Sequence, residues 1–232
     1  MSQALKNPID FTQARLFWKE SLIGSRYFDP EDPHMVQVQK AKDREIQSFR
    51  ENLDLSAPGA MLWPDLADDH VEYRFMHSFY KLDKMAHAHE NPASVYYKNE
   101  DLLKEILAAL SYLNENHFYK EGPNIGNWWC YEIGSPLAVN NILTCLYDDV
   151  PETLRKSLLD AIHYYVPDPL YMVTHFGFGP IRCQGGNQVD IAKVCLITSL
   201  LSEDEAGVLL AWQALQSVFI VVSEGNGFYP DY

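Results

Sequence analysis

Apolar residues recur at helical spacing through most of the chain, separated by short links containing Pro, Gly and Asn, and alternating runs long enough for a strand are few. Between Asn99 and Asn116 one stripe carries Leu102, Leu103, Ile106, Leu107, Leu110 and Leu113, with Asn99 placed to cap it. Ser135 and Pro136 have the form of an N-cap and first helical residue, opening a helix through Leu137, Ile142 and Leu146. A further helix follows Pro151, with Leu154, Leu158 and Ile162 on one face. Ser202 and Glu205 have capping-box spacing ahead of another that carries Leu209, Leu210, Leu215, Val218 and Val222. Short links between successive helices favour antiparallel neighbours, so the expected class is all-α. The expected shape is a helical hairpin array or an incomplete α/α toroid.

The Pro-, Trp- and Asp-containing stretch 56–69 reads as a long connection between N-terminal helices in 1–55 and a hairpin array over 70–232. At 232 residues, 47% of them hydrophobic, the chain is expected to form one core, and 1–232 is taken as a single domain. A formal net charge of -14 argues against a nucleic-acid partner, which needs a basic stripe. An acidic glycan would need Lys and Arg gathered locally. No stretch approaches a bilayer span, so a membrane is not an expected partner either.

Cys130, Cys145, Cys183 and Cys195 are widely spaced and read as buried free thiols. The histidines lack metal-site spacing, and His87 and His89 diverge on a helix, so no metal and no cofactor is expected. Phosphate-binding, dinucleotide and serine-hydrolase motifs are all missing.

Three segments place polar and aromatic groups where a scaffold can present them. In Gly126 to Gly134 the adjacent Trp128 and Trp129, beside Asn127, form either a carbohydrate-stacking platform or a core Trp pair. In Arg182 to Asp190, Asn187 is either a simple helix cap or an amide donor beside a helix N-terminus, able to hold a carboxylate, with Arg182 adding positive charge. The third, Ser223 to Tyr232, is a Gly-rich turn ending in aromatics.

Taken in order, these segments resemble the polysaccharide lyase family that includes hyaluronate, chondroitin AC and xanthan lyases. The resemblance runs from about Tyr73 to the end. It rests on the stretch from Glu72 to Ala86, Asn91-Pro-Ala-Ser with Tyr96 and Tyr97, and the Asn127-Trp-Trp block continuing to Pro136, Asn140 and Asn141. Val166-Pro-Asp-Pro, Gly185-Gly-Asn with Val189 and Asp190, and Glu224 to Tyr229 complete it. It implies an incomplete toroid of antiparallel helical hairpins, and β-elimination at a uronic acid in a glycan such as hyaluronan or chondroitin. It further implies that Trp128 and Trp129 position the chain and that Asn187 neutralises the uronate carboxylate, so that the proton beside it can be removed. A secreted, extracellular location is implied as well.

The family's histidine and tyrosine would follow the Gly-Phe-Tyr segment, beyond Tyr232, so the chain alone is expected to show little or no turnover. Ile181 stands where hyaluronate lyases carry a third aromatic, Asn226 where they carry an acidic residue, Tyr232 where they carry a glycine, and Cys130 at a commonly acidic position. A non-catalytic glycan-binding module or decayed paralogue is the alternative, and a helical interaction protein with a core Trp pair a third. Helix faces left uncovered by a partial toroid imply poor solubility or self-association.

Overall fold

The computed structural model describes residues 8–56, 62–173, 179–225 and 227. Eight α-helices run through the described residues, with one two-stranded antiparallel ribbon. Asp10 caps α1 (Phe11–Ile23) by accepting the Gln13 N–H, and Gly24, with φ +65°, ends it in the left-handed conformation that glycine adopts without cost. Asp32 caps α2 (Pro33–Glu51), whose first residue is proline. Next come α3 (Val71–Glu90) and α4 (Glu100–Asn116), and Asn99 Oδ1 accepts the Leu102 N–H at 2.8 Å as its sequence position predicts. The remainder is α5 (Ser135–Cys145), α6 (Glu152–Tyr165), the ribbon β1 (Tyr171–Met172) and β2 (Ile181–Arg182), α7 (Gly185–Leu201) and α8 (Glu205–Gln216).

The class is all-α, an arc of an incomplete α/α toroid of antiparallel hairpins. Helix α3 packs against α4 and α5, α7 against α5, α6 and α8, and α1 lies across α5 and α7. One hydrophobic cluster runs through these contacts, from Phe75, Phe79 and Leu82 on α3 to Leu110 on α4, Ile142 on α5, Leu158 on α6 and Ile191 on α7. Leu62, Trp63 and Leu66 of the connection enter it too: Trp63 is fully buried and donates its indole N–H to the Phe49 carbonyl at 2.9 Å. Between α5 and α7, Asn140 donates to the Val194 carbonyl and the Thr198 hydroxyl, a buried polar pair that fixes the register of the two helices. Arg15 of α1 lies 4.1 Å from the Tyr147 ring centroid and also reaches Glu203, tying the first helix to the last two.

Three helix ends differ from their sequence reading. Ser135 is not a cap, because the helix begins earlier and Ser135 is buried in its interior. Ser202 closes α7, and Asp204, two residues on, caps α8 by accepting the Ala206 N–H; its carboxylate supplants the expected capping box. Helix α8 also stops at Gln216, so Val218 and Val222 lie beyond it. Cys130, Cys145 and Cys183 are buried free thiols, whereas Cys195 is only partly buried.

Candidate functional site

The tryptophan pair opens a composite helix. Asn127 stands before it, its Oδ1 accepting the Trp129 N–H at 3.0 Å and its carbonyl accepting the Cys130 N–H. Trp128 and Trp129 already have helical geometry, and Cys130–Gly134 widen into a π-turn, with the Ser135 N–H reaching back five residues to the Cys130 carbonyl, before α5 continues. Asn127 is itself held from α3, donating its amide to the Tyr73 hydroxyl at 2.7 Å while its backbone N–H meets Glu72. Gly126 leads in with φ +79°, and a Cβ there would overlap the Glu72 carboxylate, so both backbone and space demand glycine.

Both tryptophans are partly exposed and rest against the core cluster. Neither is wholly interior, which departs from the reading as a core pair. Gly134 faces the Trp129 ring edge, the Met76 thioether and the Tyr80 hydroxyl, and any side chain would displace them. Tyr80 was not singled out in the sequence. Burial, with smaller electrostatic contributions from Cys130, Asp83 and Asp190, raises its phenol to about 12. Asp190 lies one turn after Asn187 on α7.

Asn187 does not cap α7. Gln184 takes that position with extended backbone and no side-chain bond, leaving Asn187 as the third helical residue. Among the described residues the Asn187 side chain makes no hydrogen bond and is partly exposed, so its amide is free for a ligand. Arg182 and Ile181 are exposed on β2, the Arg182 guanidinium 6.0 Å from the Tyr171 ring centroid. Arg182 therefore puts a positive charge at the approach to the α7 N-terminus, where the helix dipole favours anions. The ribbon places Met172 opposite Ile181 and Tyr171 opposite Arg182. Of the third segment, Asn226 and Phe228–Tyr232 lie outside the described residues.

One cluster elsewhere has ligand-like spacing: His89, Glu90 and Asp149 bring their polar atoms within 4.8 Å of one another. Lys19 and Lys98 each approach Glu90 at 2.6 Å, and those ammonium groups supply the positive charge that a metal would bring. The cluster works as an ion-pair hub among α1, α3 and the loops after α3 and α5.

Residues 18–232 match the sequence profile of polysaccharide lyase family 8, N-terminal alpha-helical domain. The chain belongs to this family. Hyaluronate lyase HylB of Enterococcus faecalis is 26% identical over 231 residues, covering 96% of this chain and 23% of that protein. Xanthan lyase of a Bacillus species is 26% identical over 225 residues, covering 96% of this chain and 23% of that lyase. Among solved structures, Paenibacillus xanthan lyase superposes with a TM-score of 0.83 at 25% identity, over 96% of this chain and 20% of that one. Streptomyces coelicolor chondroitin AC lyase superposes at 0.81 and 24% identity, over 96% and 29%, a likeness of fold. The family 8 chain thus spans less than a third of the length of these relatives.

Proposed function

We propose that this chain is the glycan-positioning portion of a lyase that cleaves a uronic-acid polysaccharide, such as hyaluronan or chondroitin, by β-elimination. Trp128 and Trp129 stack on the apolar faces of successive sugar rings. Asn187 and the N-terminal N–H groups of α7 receive the uronate carboxylate, with Arg182 drawing it in. Hydrogen bonding to that carboxylate spreads the charge that builds up when the C5 proton leaves, and the electron pair then expels the glycosidic oxygen at C4.

The observation that carries this reading is the pairing of a partly exposed tryptophan platform with the unspent Asn187 amide. Names of family 8 relatives that act on hyaluronan, and a superposable chondroitin AC lyase, support the substrate class. Tyr80, beside the platform, is partly buried and held protonated, so it is not poised to abstract a proton. The chain by itself is therefore expected to bind without turnover. Titration with hyaluronan oligosaccharides, followed by Trp fluorescence, should show saturable quenching with no rise in ultraviolet absorbance from unsaturated uronide. An unchanged spectrum at millimolar oligosaccharide would sink the binding role, and steady product formation would sink the division of labour.

A further inference from the structure

A buried carboxyl lies between the tryptophan pair and the ribbon that leads to Asn187. Glu132, in the π-turn, has no exposed surface. Its Oε2 accepts the Val173 N–H at 2.8 Å, while Oε1 is shielded from solvent and has no hydrogen-bond partner. Gln188, also fully buried, donates Nε2 to the Pro169 carbonyl at 2.7 Å, and its Oε1 is likewise buried without a partner. The Cys183 N–H closes the far side of the same stretch by donating to the Leu170 carbonyl at 2.9 Å. Side chains from the two helices bearing Trp129 and Asn187 thus grip one five-residue segment, 169–173.

Nothing positive compensates Glu132. The elements packed against its turn are α3, α5, α6 and α7, with Cys183 after β2 also close, and no cation contributes to the shift of its carboxyl. The cations on those elements are engaged elsewhere. Arg74 and His77 meet Asp69, Arg182 lies over Tyr171, Lys193 over Trp18, and Arg155 over Tyr147. Lys81, Lys84 and Lys156 are paired with Asp65, Glu45 and Asp160. His87 lies by Asp83, His89 by Glu90, and His163 by the Leu159 carbonyl. Burial raises the Glu132 carboxyl to about 7 against the pull of the Val173 N–H. An ionised Glu132 would be a buried charge with an unsatisfied oxygen, whereas a protonated one is a neutral hydrogen-bonding group.

We propose that Glu132 is a positioning residue: in its protonated form it latches the 169–173 segment, holding the Arg182–Asn187 approach beside the tryptophan pair, and its ionisation loosens that latch. Its effect on ligand binding rests on the glycan reading above, but the latch itself is observable without glycan.

Hydrogen exchange at the Val173 and Cys183 amides, corrected for the intrinsic pH dependence, tests the latch between pH 5.5 and 8.5. Wild-type protection should fall by roughly fivefold from pH 7 to pH 8, since a group that titrates at about 7 is about half protonated at the first pH and about one-tenth protonated at the second. Glu132→Gln, a neutral isostere, should keep protection constant across the range, and oligosaccharide affinity should follow the same two profiles. A flat wild-type profile, or the same slope in both proteins, overturns the latch. The wild-type profile alone decides the matter if the variant does not fold. A pH-dependent latch with no glycan affinity at any pH supports the latch and refutes the glycan reading instead.

Discussion

Glu72 and Asn127 stand 55 residues apart and meet at the start of the tryptophan helix, where the buried Glu72 carboxylate accepts the Asn127 N–H at 3.3 Å. The contact fastens the platform to the long helix α3, and it works only because Gly126 leaves room for the carboxylate. Gly126→Ala should therefore cost about 2 kcal/mol or more, from left-handed backbone strain together with displacement of Glu72. Urea denaturation measures the loss. Oligosaccharide affinity should fall in the same variant, and an unaltered midpoint would show that the approach is not tight.

Asn187 and Trp129 should separate binding from stability. Asn187→Ala removes no internal hydrogen bond, so its unfolding free energy should stay within about 0.5 kcal/mol of wild type while oligosaccharide affinity drops roughly tenfold. Trp129→Ala should lose both, with a stability cost of about 2 kcal/mol from the contacts it makes near Gly134 and Met76. Equal affinity of the Asn187→Ala protein and wild type for uronate-containing oligosaccharides would remove Asn187 from the site.

Glu90 sets the acid limb of stability. Burial alone would raise its carboxyl, but hydrogen bonds from Lys19, Lys98 and His89 outweigh burial and hold it below the ordinary value. A carboxyl lowered on folding stabilises fully above its unfolded value of 4.5 and loses that contribution as pH falls through the lower folded value. Glu90→Gln should destabilise by about 3 kcal/mol at pH 7, leaving two lysines beside a neutral amide. The difference should shrink in melts below pH 4.5.

Glu132 acts with the opposite sign. Its carboxyl is raised from 4.5 to about 7, so the folded state holds the extra proton and stability declines as pH rises between those values. Glu132→Gln should be more stable than wild type at pH 8 and close to it at pH 4.5. Thermal melts at the two pH values check the crossover, and a constant difference would contradict it.

Self-association is expected through the apolar groove of about 680 Å³ formed by α1, α7 and α8, with Phe17, Trp18, Leu196 and Leu215 in its walls. Phe17 and Trp212 are more than half exposed. Light scattering after size exclusion should give a mass that rises with concentration, and Phe17→Ser combined with Trp212→Ser should reduce the rise. A monomeric mass throughout would contradict this expectation.

The fold class was legible in the sequence because helix periodicity is local: the stripe from Leu102 to Leu113 and its Asn99 cap needed no distant partner. Ser135 and Ser202 misled for the same local reason, since an equally plausible cap stood nearby, Asn127 in one case and Asp204 in the other. The π-turn was hidden because Gly134 within it is crowded by Met76 and Tyr80 from α3, 54 or more residues earlier, as well as by Trp129 of its own helix. Residues 126–134 therefore read only as a segment presenting polar and aromatic groups, and Tyr80 was not singled out. The burial of Glu132 was equally hidden, for its partner Val173 lies 41 residues on. The resemblance did pick out Trp128, Trp129 and Asn187, and in the structure the tryptophans are partly exposed and the Asn187 amide unspent.

The π-turn between Trp129 and Ser135 also sets the angular phase of the platform. Residues on an α-helix are spaced by roughly 100° about its axis. Deleting one residue from Cys130–Gly134 to restore an ordinary helix would swing the tryptophan pair by about that angle relative to α5. The helix would survive, and the rings would point along a different bearing. The single extra residue in that turn therefore works as an alignment shim, deciding where the aromatic faces look.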